Sequence, residues 1–131
     1  MIILDTNAFI WWLSEHEKLS KSAQEAINLE SKKNPLLISS ISIWEISLLV
    51  NKKRLSVGYP LDEWVSGLKE LEQLEFVPVD NSIAYQSTRL PGIFHSDPAD
   101  RIIVATARSL GATLITSDKL IRKYKYVKTI W

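Results

Sequence analysis

Short apolar runs that end abruptly in polar residues alternate along this chain with longer segments whose apolar positions recur three and four apart. Met1 to Leu4 leads straight into Asp5-Thr6-Asn7, the form of a parallel strand buried on both faces whose carboxyl end reaches solvent. Leu36-Leu37-Ile38, Glu75 to Val79 and Ala112 to Ile115 repeat that form, with Pro78 placing the end of the third at a sheet margin or in a turn. Helices are expected over Ala8 to His16, Ser20 to Ser31, Ser39 to Val50, Leu61 to Leu74, Ser82 to Arg89 and Pro98 to Leu110. Phe9, Trp12 and Leu13 share the inner face of the first; Ile103, Ala107 and Leu110 do so in the last. Asp97, Pro98 and Asp100 suit the N-cap, first and third positions of that last helix, and Gly111 its left-handed C-cap. The tail from Lys119 to Trp131 reads as basic and irregular, ending in an edge strand near Val127 to Ile130. Strand and helix in alternation define an α/β protein with a parallel sheet. The absence of linkers and repeats implies one domain over 1–131.

Composition narrows the function less than the pattern does. Sixteen Lys and Arg face 15 Asp and Glu, so attraction to phosphate must be local: Lys52-Lys53-Arg54, or the acid-free tail with Lys119, Arg122, Lys123, Lys125 and Lys128. Those cations serve equally as complements to helix C-termini. Without cysteine there is neither a disulfide nor a thiolate zinc site. No apolar run approaches a membrane span and no targeting signal opens the sequence, so a soluble cytoplasmic protein is expected, with no membrane partner.

The acids carry the chemistry. Asp5 and Asp118 each follow an apolar strand, and Asp5 is either a helix cap, one half of an ion pair, or a holder of positive charge. Ser42 with Glu45 three residues on has the form of a capping box in the first turn of its helix, which by itself accounts for Glu45. Asp97 and Asp100 open the helix before the last inner strand. In a doubly wound sheet all these points fall on one edge, outside the carboxyl ends of the strands. Carboxylates converging there repel, by about 4 kcal/mol for a pair about 4 Å apart at an effective dielectric of about 20. Protonation, a nearby Arg or a hard divalent ion such as Mg²⁺ or Mn²⁺ offsets that cost, and an all-oxygen pocket suits the ion. Thr6, Asn7, Thr116 and Ser117 lie beside the acids as orienting groups. His95 is the one nearby proton carrier, or else a structural turn residue.

Taken together, MIILDTNAFIWWL, SSISIWEISLLV, HSDPADRIIVATA and LITSD resemble, in order and across nearly the whole chain, the motifs of the PIN domains and of their VapC-like toxin branch. The resemblance implies a three-layer α/β/α sandwich around a short parallel sheet, and a metal-dependent endoribonuclease acting as the toxin of a type II toxin-antitoxin pair. It implies a catalytic quartet of Asp5, Glu45, Asp100 and Asp118, with Asp5, Asp100 and Asp118 holding Mg²⁺ or Mn²⁺. Thr6 and Thr116 support them; Asp97 is a cap first and a ligand second; Arg101 meets substrate phosphate or pairs with a neighbouring acid. A homodimer and a small cognate antitoxin across an aromatic groove are also implied, with Trp11, Trp12 and Trp44 as contacts unless they belong to the core.

Two other readings use the same residues. An aspartyl-phosphate phosphatase or receiver would take Asp5 as nucleophile, but the phosphatase pattern wants a second Asp where Asn7 stands, and a receiver leaves Glu45 idle. A non-catalytic module that only docks a partner would use every acid as a cap.

Overall fold

The strand Ile2–Leu4 is fully covered, and its side chains alternate between two cores: Ile2 and Leu4 enter one, Ile3 the other. A computed structural model describes residues 1–131. Its order is β1 (Ile2–Leu4), α1 (Thr6–Ser14), α2 (Lys21–Ser31), β2 (Leu36–Ser39), α3 (Ser40–Asn51) and α4 (Leu61–Gly67), followed by β3 (Leu74–Val77) and α5 (Asn81–Ser87). Then come α6 (Pro98–Leu110), β4 (Thr113–Ile115), α7 (Lys119–Lys123) and β5 (Thr129–Ile130). All five strands are parallel in the order β3-β2-β1-β4-β5. Winding outward from β1 in both directions makes the β1–β4 boundary the switch point of the sheet, with Ile2, Ile3 and Leu4 opposite Thr113, Leu114 and Ile115.

Period-two alternation puts Leu36, Ile38 and Ile115 with Ala8, Phe9, Ile27 and Ile46 on one face, and Leu37 and Leu114 with Ile103, Val104, Ala107 and Ile121 on the other. Helices therefore cover both faces, giving the α/β/α layering. Side chains such as Ile3 and Phe9 are wholly buried, and truncating either to Ala costs about 2–5 kcal/mol. No helix is long and apolar enough to cross a membrane.

Several boundaries differ from the sequence expectation. The third helix starts at Ser40 and is capped by Ser39, whose hydroxyl accepts from the Ile41 N–H; Ser42 is not its cap and no capping box forms. The segment expected to be helical to Leu74 stops at Gly67, passes through a 3₁₀ turn at Leu68–Glu70, and gives Leu74 to β3, where it pairs with Leu36. Pairing with β2 decides this, overriding the helical spacing of Leu71. Strand β3 accordingly ends at Val77, before Pro78. In α6, Leu110 is 38% exposed rather than inward, because the helix is ending at Gly111 (φ 63°) as the chain turns into β4. The basic tail contains a helix, α7, and its strand shrinks to Thr129–Ile130 at the sheet edge.

Candidate active site

Each acid is delivered by the end of a strand or the start of a helix at the carboxyl edge of the sheet. Asp5 follows β1; its N–H bonds the Ile115 carbonyl at 3.1 Å, which ties it to the end of β4. Its Oδ1 accepts the Ala8 N–H at 2.7 Å and so caps α1, and the residue is 6% exposed. Past β4, the buried Thr116 hydroxyl accepts the Asp118 N–H at 3.0 Å and lies beside the Asp5 carboxylate. Asp118 then caps α7, its Oδ1 accepting from Leu120 and Ile121 at 2.8 and 3.0 Å. Asp97 caps α6 through the Asp100 N–H at 2.9 Å. The cap and site readings of these acids are compatible: one carboxylate oxygen takes the helix N–H groups and the other stays available.

Glu45 stands in the second turn of α3, one turn later than a Ser42 cap would put it. Its carboxylate accepts from the Thr6 hydroxyl at 2.5 Å, and Thr6 Oγ1 lies 2.9 Å from the fully buried Ser42 hydroxyl. Since the Thr6 O–H donates to Glu45, Thr6 Oγ1 accepts from the Ser42 hydroxyl. Ser42, Thr6 and Glu45 form a relay from the interior to the acidic edge. This role for Ser42 was hidden in the sequence behind the cap reading, though its place three residues before Glu45, on the same helix face, is a usable signal.

Burial raises the carboxyl of Asp5 to about 6, with Asp118 and Glu45 adding to it against the lowering effects of the Thr116 hydroxyl and the Ala8 N–H. Burial also raises Asp100, to about 7, and Asp97, Asp118, Glu45 and Asp5 each push it further. Glu45 moves the same way through burial and Asp97, opposed by the Thr6 hydrogen bond. Five acids thus share one field. No Lys or Arg stands within ion-pair distance of any of them; the one basic partner is His95, whose Nε2 lies 3.2 Å from Asp100 Oδ2. His95 Nδ1 accepts the Asp97 N–H at 3.4 Å, which leaves the Nε2 proton facing Asp100, though outside good hydrogen-bond geometry.

Arg101 makes no ion pair with the acids. Its guanidinium donates to the carbonyls of Ser87, Phe94 and His95 at 2.8, 3.1 and 3.2 Å and thereby holds the segment that carries His95. Asn7 is exposed on the first turn of α1. Among the aromatics, Trp11 packs against Trp131 with centroids 5.7 Å apart, Trp12 is half-buried against the core, and Trp44 is 54% exposed beside Glu45.

Desolvated carboxylates with hard oxygen donors and no cationic neighbour fit a divalent ion. The distances argue less strongly, for no three acidic or histidine side chains stand at metal-holding spacing.

The PIN domain family model matches residues 2–126. The chain is 32% identical over 132 residues to Ribonuclease VapC22 of Mycobacterium tuberculosis, covering 99% of this chain and 98% of that protein. Its fold is similar to VapBC2 from Rickettsia felis bound to a DNA fragment from its promoter (TM-score 0.70, 23% identity, 99% of this chain and 98% of that one). It is similar also to a toxin-antitoxin complex from Klebsiella pneumoniae (0.67, 22%, 100% and 97%) and to the Sarcin-Ricin loop cleaving toxin VapC20 of Mycobacterium tuberculosis (0.64, 14%, 98% and 99%). A family model spanning residues 2–126 and a relative 32% identical over almost the full length agree, and the chain belongs to the PIN domain family.

Proposed function

We propose that this chain is a metal-dependent endoribonuclease, the toxin of a type II toxin-antitoxin pair, working at the edge formed by Asp5, Glu45, Asp100 and Asp118. The observation that carries the reading is the set of one buried and three half-buried, mutually repelling carboxylates with no Lys or Arg to neutralise them. Similarity to a named ribonuclease over the full chain supports the reaction class. Asp5, Asp100 and Asp118 are the residues that would hold Mg²⁺ or Mn²⁺. When bound, the ion supplies a water of lowered pKa and charge neutralisation at the phosphoryl oxygens.

The chain's own groups then divide the remaining work. Glu45, held by Thr6, accepts the proton of the attacking water. Oxygen adds to phosphorus, the bond to the 3′ oxygen breaks, and 5′-phosphate and 3′-hydroxyl ends result. His95, next to Asp100, is placed to give a proton to the departing oxygen. Thr6 and Thr116 orient carboxylates, Asp97 holds the first turn of α6, and Arg101 positions His95 rather than meeting phosphate. Cations of the tail track the RNA backbone.

The partners proposed are RNA, a second copy of the chain, and a small antitoxin. Solved toxin-antitoxin relatives and the exposed Trp44 support the last. Membership in the PIN family leaves the phosphoryl-aspartate reading without support. The decisive experiment incubates total RNA with the purified chain and Mg²⁺ or Mn²⁺, beside an EDTA control and Asp100→Asn. Cleavage confined to wild type with metal is expected; equal cleavage by a folded variant overturns the proposal and favours a module that only docks a partner.

A further inference from the structure

Ser42 lies wholly buried in the first turn of α3, one turn before Ile46 of the core. A serine there has two ordinary uses, and Ser42 serves neither. The cap of α3 is Ser39. A hydroxyl inside a helix otherwise turns back to a carbonyl of the preceding turn, as Ser14, Ser87 and Thr106 do onto Ile10, Ala84 and Ile102 at 3.0, 2.7 and 2.7 Å. Ser42 Oγ instead reaches out of its own helix to Thr6 Oγ1 in the first turn of α1, 2.9 Å away. Burying a hydroxyl is costly unless it is bonded, and Thr6 is the one partner that Ser42 has.

The bond has one workable polarity, because a hydroxyl has a single proton to give. Were Thr6 to donate to Ser42, the buried Ser42 proton would have no acceptor, and Glu45 would lose the only hydrogen bond to its carboxylate. With Ser42 donating, every proton in the chain is used. Accepting from Ser42 also polarises the Thr6 hydroxyl, which then donates more strongly to the carboxylate. That donation occupies Glu45 Oε1 alone. Oε2 of this half-buried residue carries neither a hydrogen bond nor an ion pair.

We propose that Ser42 is a positioning residue for the reaction: acting through Thr6, it fixes the donor on Glu45 Oε1 and so leaves Oε2 as the oxygen that takes the proton of the attacking water. The inference rests on the nuclease reading above, and it gives the buried end of the chain of hydroxyls a task that packing alone does not require. An alanine would fill the same turn of α3 without a polar atom to satisfy.

Kinetics on an RNA that the wild type cleaves test it first. Ser42→Ala is expected to lower kcat about tenfold, the scale of one hydrogen bond, and to leave KM unchanged. Ser42→Cys, which fills the serine's space but is a weak donor, should behave as Ser42→Ala does. In a Thr6→Val background Ser42→Ala should cost no further activity, because the path to Glu45 is already cut. Repair by Ser42→Cys, a rise in KM alone, or a full additional loss in the Thr6→Val background makes Ser42 a packing residue and overturns the inference. A second readout needs no turnover. Proton NMR of the full chain in EDTA should show a Thr6 hydroxyl proton in slow exchange with water, and exchange about tenfold faster in Ser42→Ala; equal exchange overturns the inference. A wild type that cleaves, with rate and hydroxyl exchange untouched in Ser42→Ala, loses this inference and keeps the nuclease reading. One that never cleaves, yet shows the Ser42-dependent exchange, keeps the hold of Ser42 on Thr6 and Glu45 and loses the nuclease reading.

Discussion

The Thr6 hydroxyl donates to the Glu45 carboxylate across 2.5 Å, so the first turn of α1 sets the position of an acid that the sequence places 39 residues later. Behind it, Ser42 donates to Thr6 from a fully buried site. Thr6→Val is expected to lower RNA cleavage at least about tenfold and to cost about 1–3 kcal/mol, because Ser42 loses its acceptor and Glu45 its donor. Thr6→Ser should retain most of both. Initial rates and urea melts on the two variants check this.

Asp100 gives a pH-dependent prediction. Its carboxyl, near 7, and that of Asp5, near 6, bind protons more tightly folded than unfolded. The stability contributed by the protonated forms is complete below about pH 4 and is lost as pH rises through about 6 and 7. Asp100→Asn should therefore raise Tm by about 3–8 °C at pH 8 and leave it unchanged at pH 4, while abolishing cleavage. An equal shift at both pH values would locate the effect outside the charge.

Divalent ions should act on the same repulsion. With Mn²⁺ at about one hundred times its Kd, the folded state gains about 2.7 kcal/mol, visible as a higher Tm at pH 8. Asp5→Asn and Asp118→Asn should each remove most of that gain. Na⁺ at matched ionic strength should not reproduce it.

Replacing Asp5 calls for care in choosing the substituent. Like-charge repulsion alone says that Asp5→Ala holds or raises stability. Asp5 also accepts the Ala8 N–H, however, and losing that cap costs about 1 kcal/mol and leaves a buried donor unpaired. Asn keeps the cap and removes the charge. Asp5→Asn should thus be inactive and at least as stable as wild type at pH 8, and Asp5→Ala inactive and less stable than Asp5→Asn, as calorimetry will show.

Arg101 supplies a further contrast. Arg101→Met leaves three carbonyls of the Ser87–His95 segment without their donor and should cost at least about 2 kcal/mol in urea unfolding. Arg101→Lys should recover only part of this, since one ammonium cannot reproduce the guanidinium fork.

The strands next to β1 and the caps of α6 were legible because burial on both faces and the Asp97-Pro98-Asp100 spacing leave few alternatives. The start of α3 was not: Ser39, Ser40 and Ser42 are all good caps, and only the end of β2 at Ser39 decides among them. The helix α7 is not legible because five residues carry too little periodicity and its cap, Asp118, reads equally well as a site acid. For the acids themselves, residue type serves capping and ion binding alike. Distance and burial resolve what composition cannot, as they do for Arg101, whose place beside Asp100 in sequence says nothing of where its guanidinium points.

The position of β1 at the sheet's switch point also bears on when the acidic edge forms during synthesis. This strand is made well before its partner β4, which follows more than a hundred residues later, with Ile2 set against Thr113. Pairing over such a separation is slow to nucleate, since the intervening loop must close before the contact is rewarded. Asp5 and Asp118 meet only when that pairing is made. A nascent chain therefore cannot bring Asp5 and Asp118 together until β4 has been made.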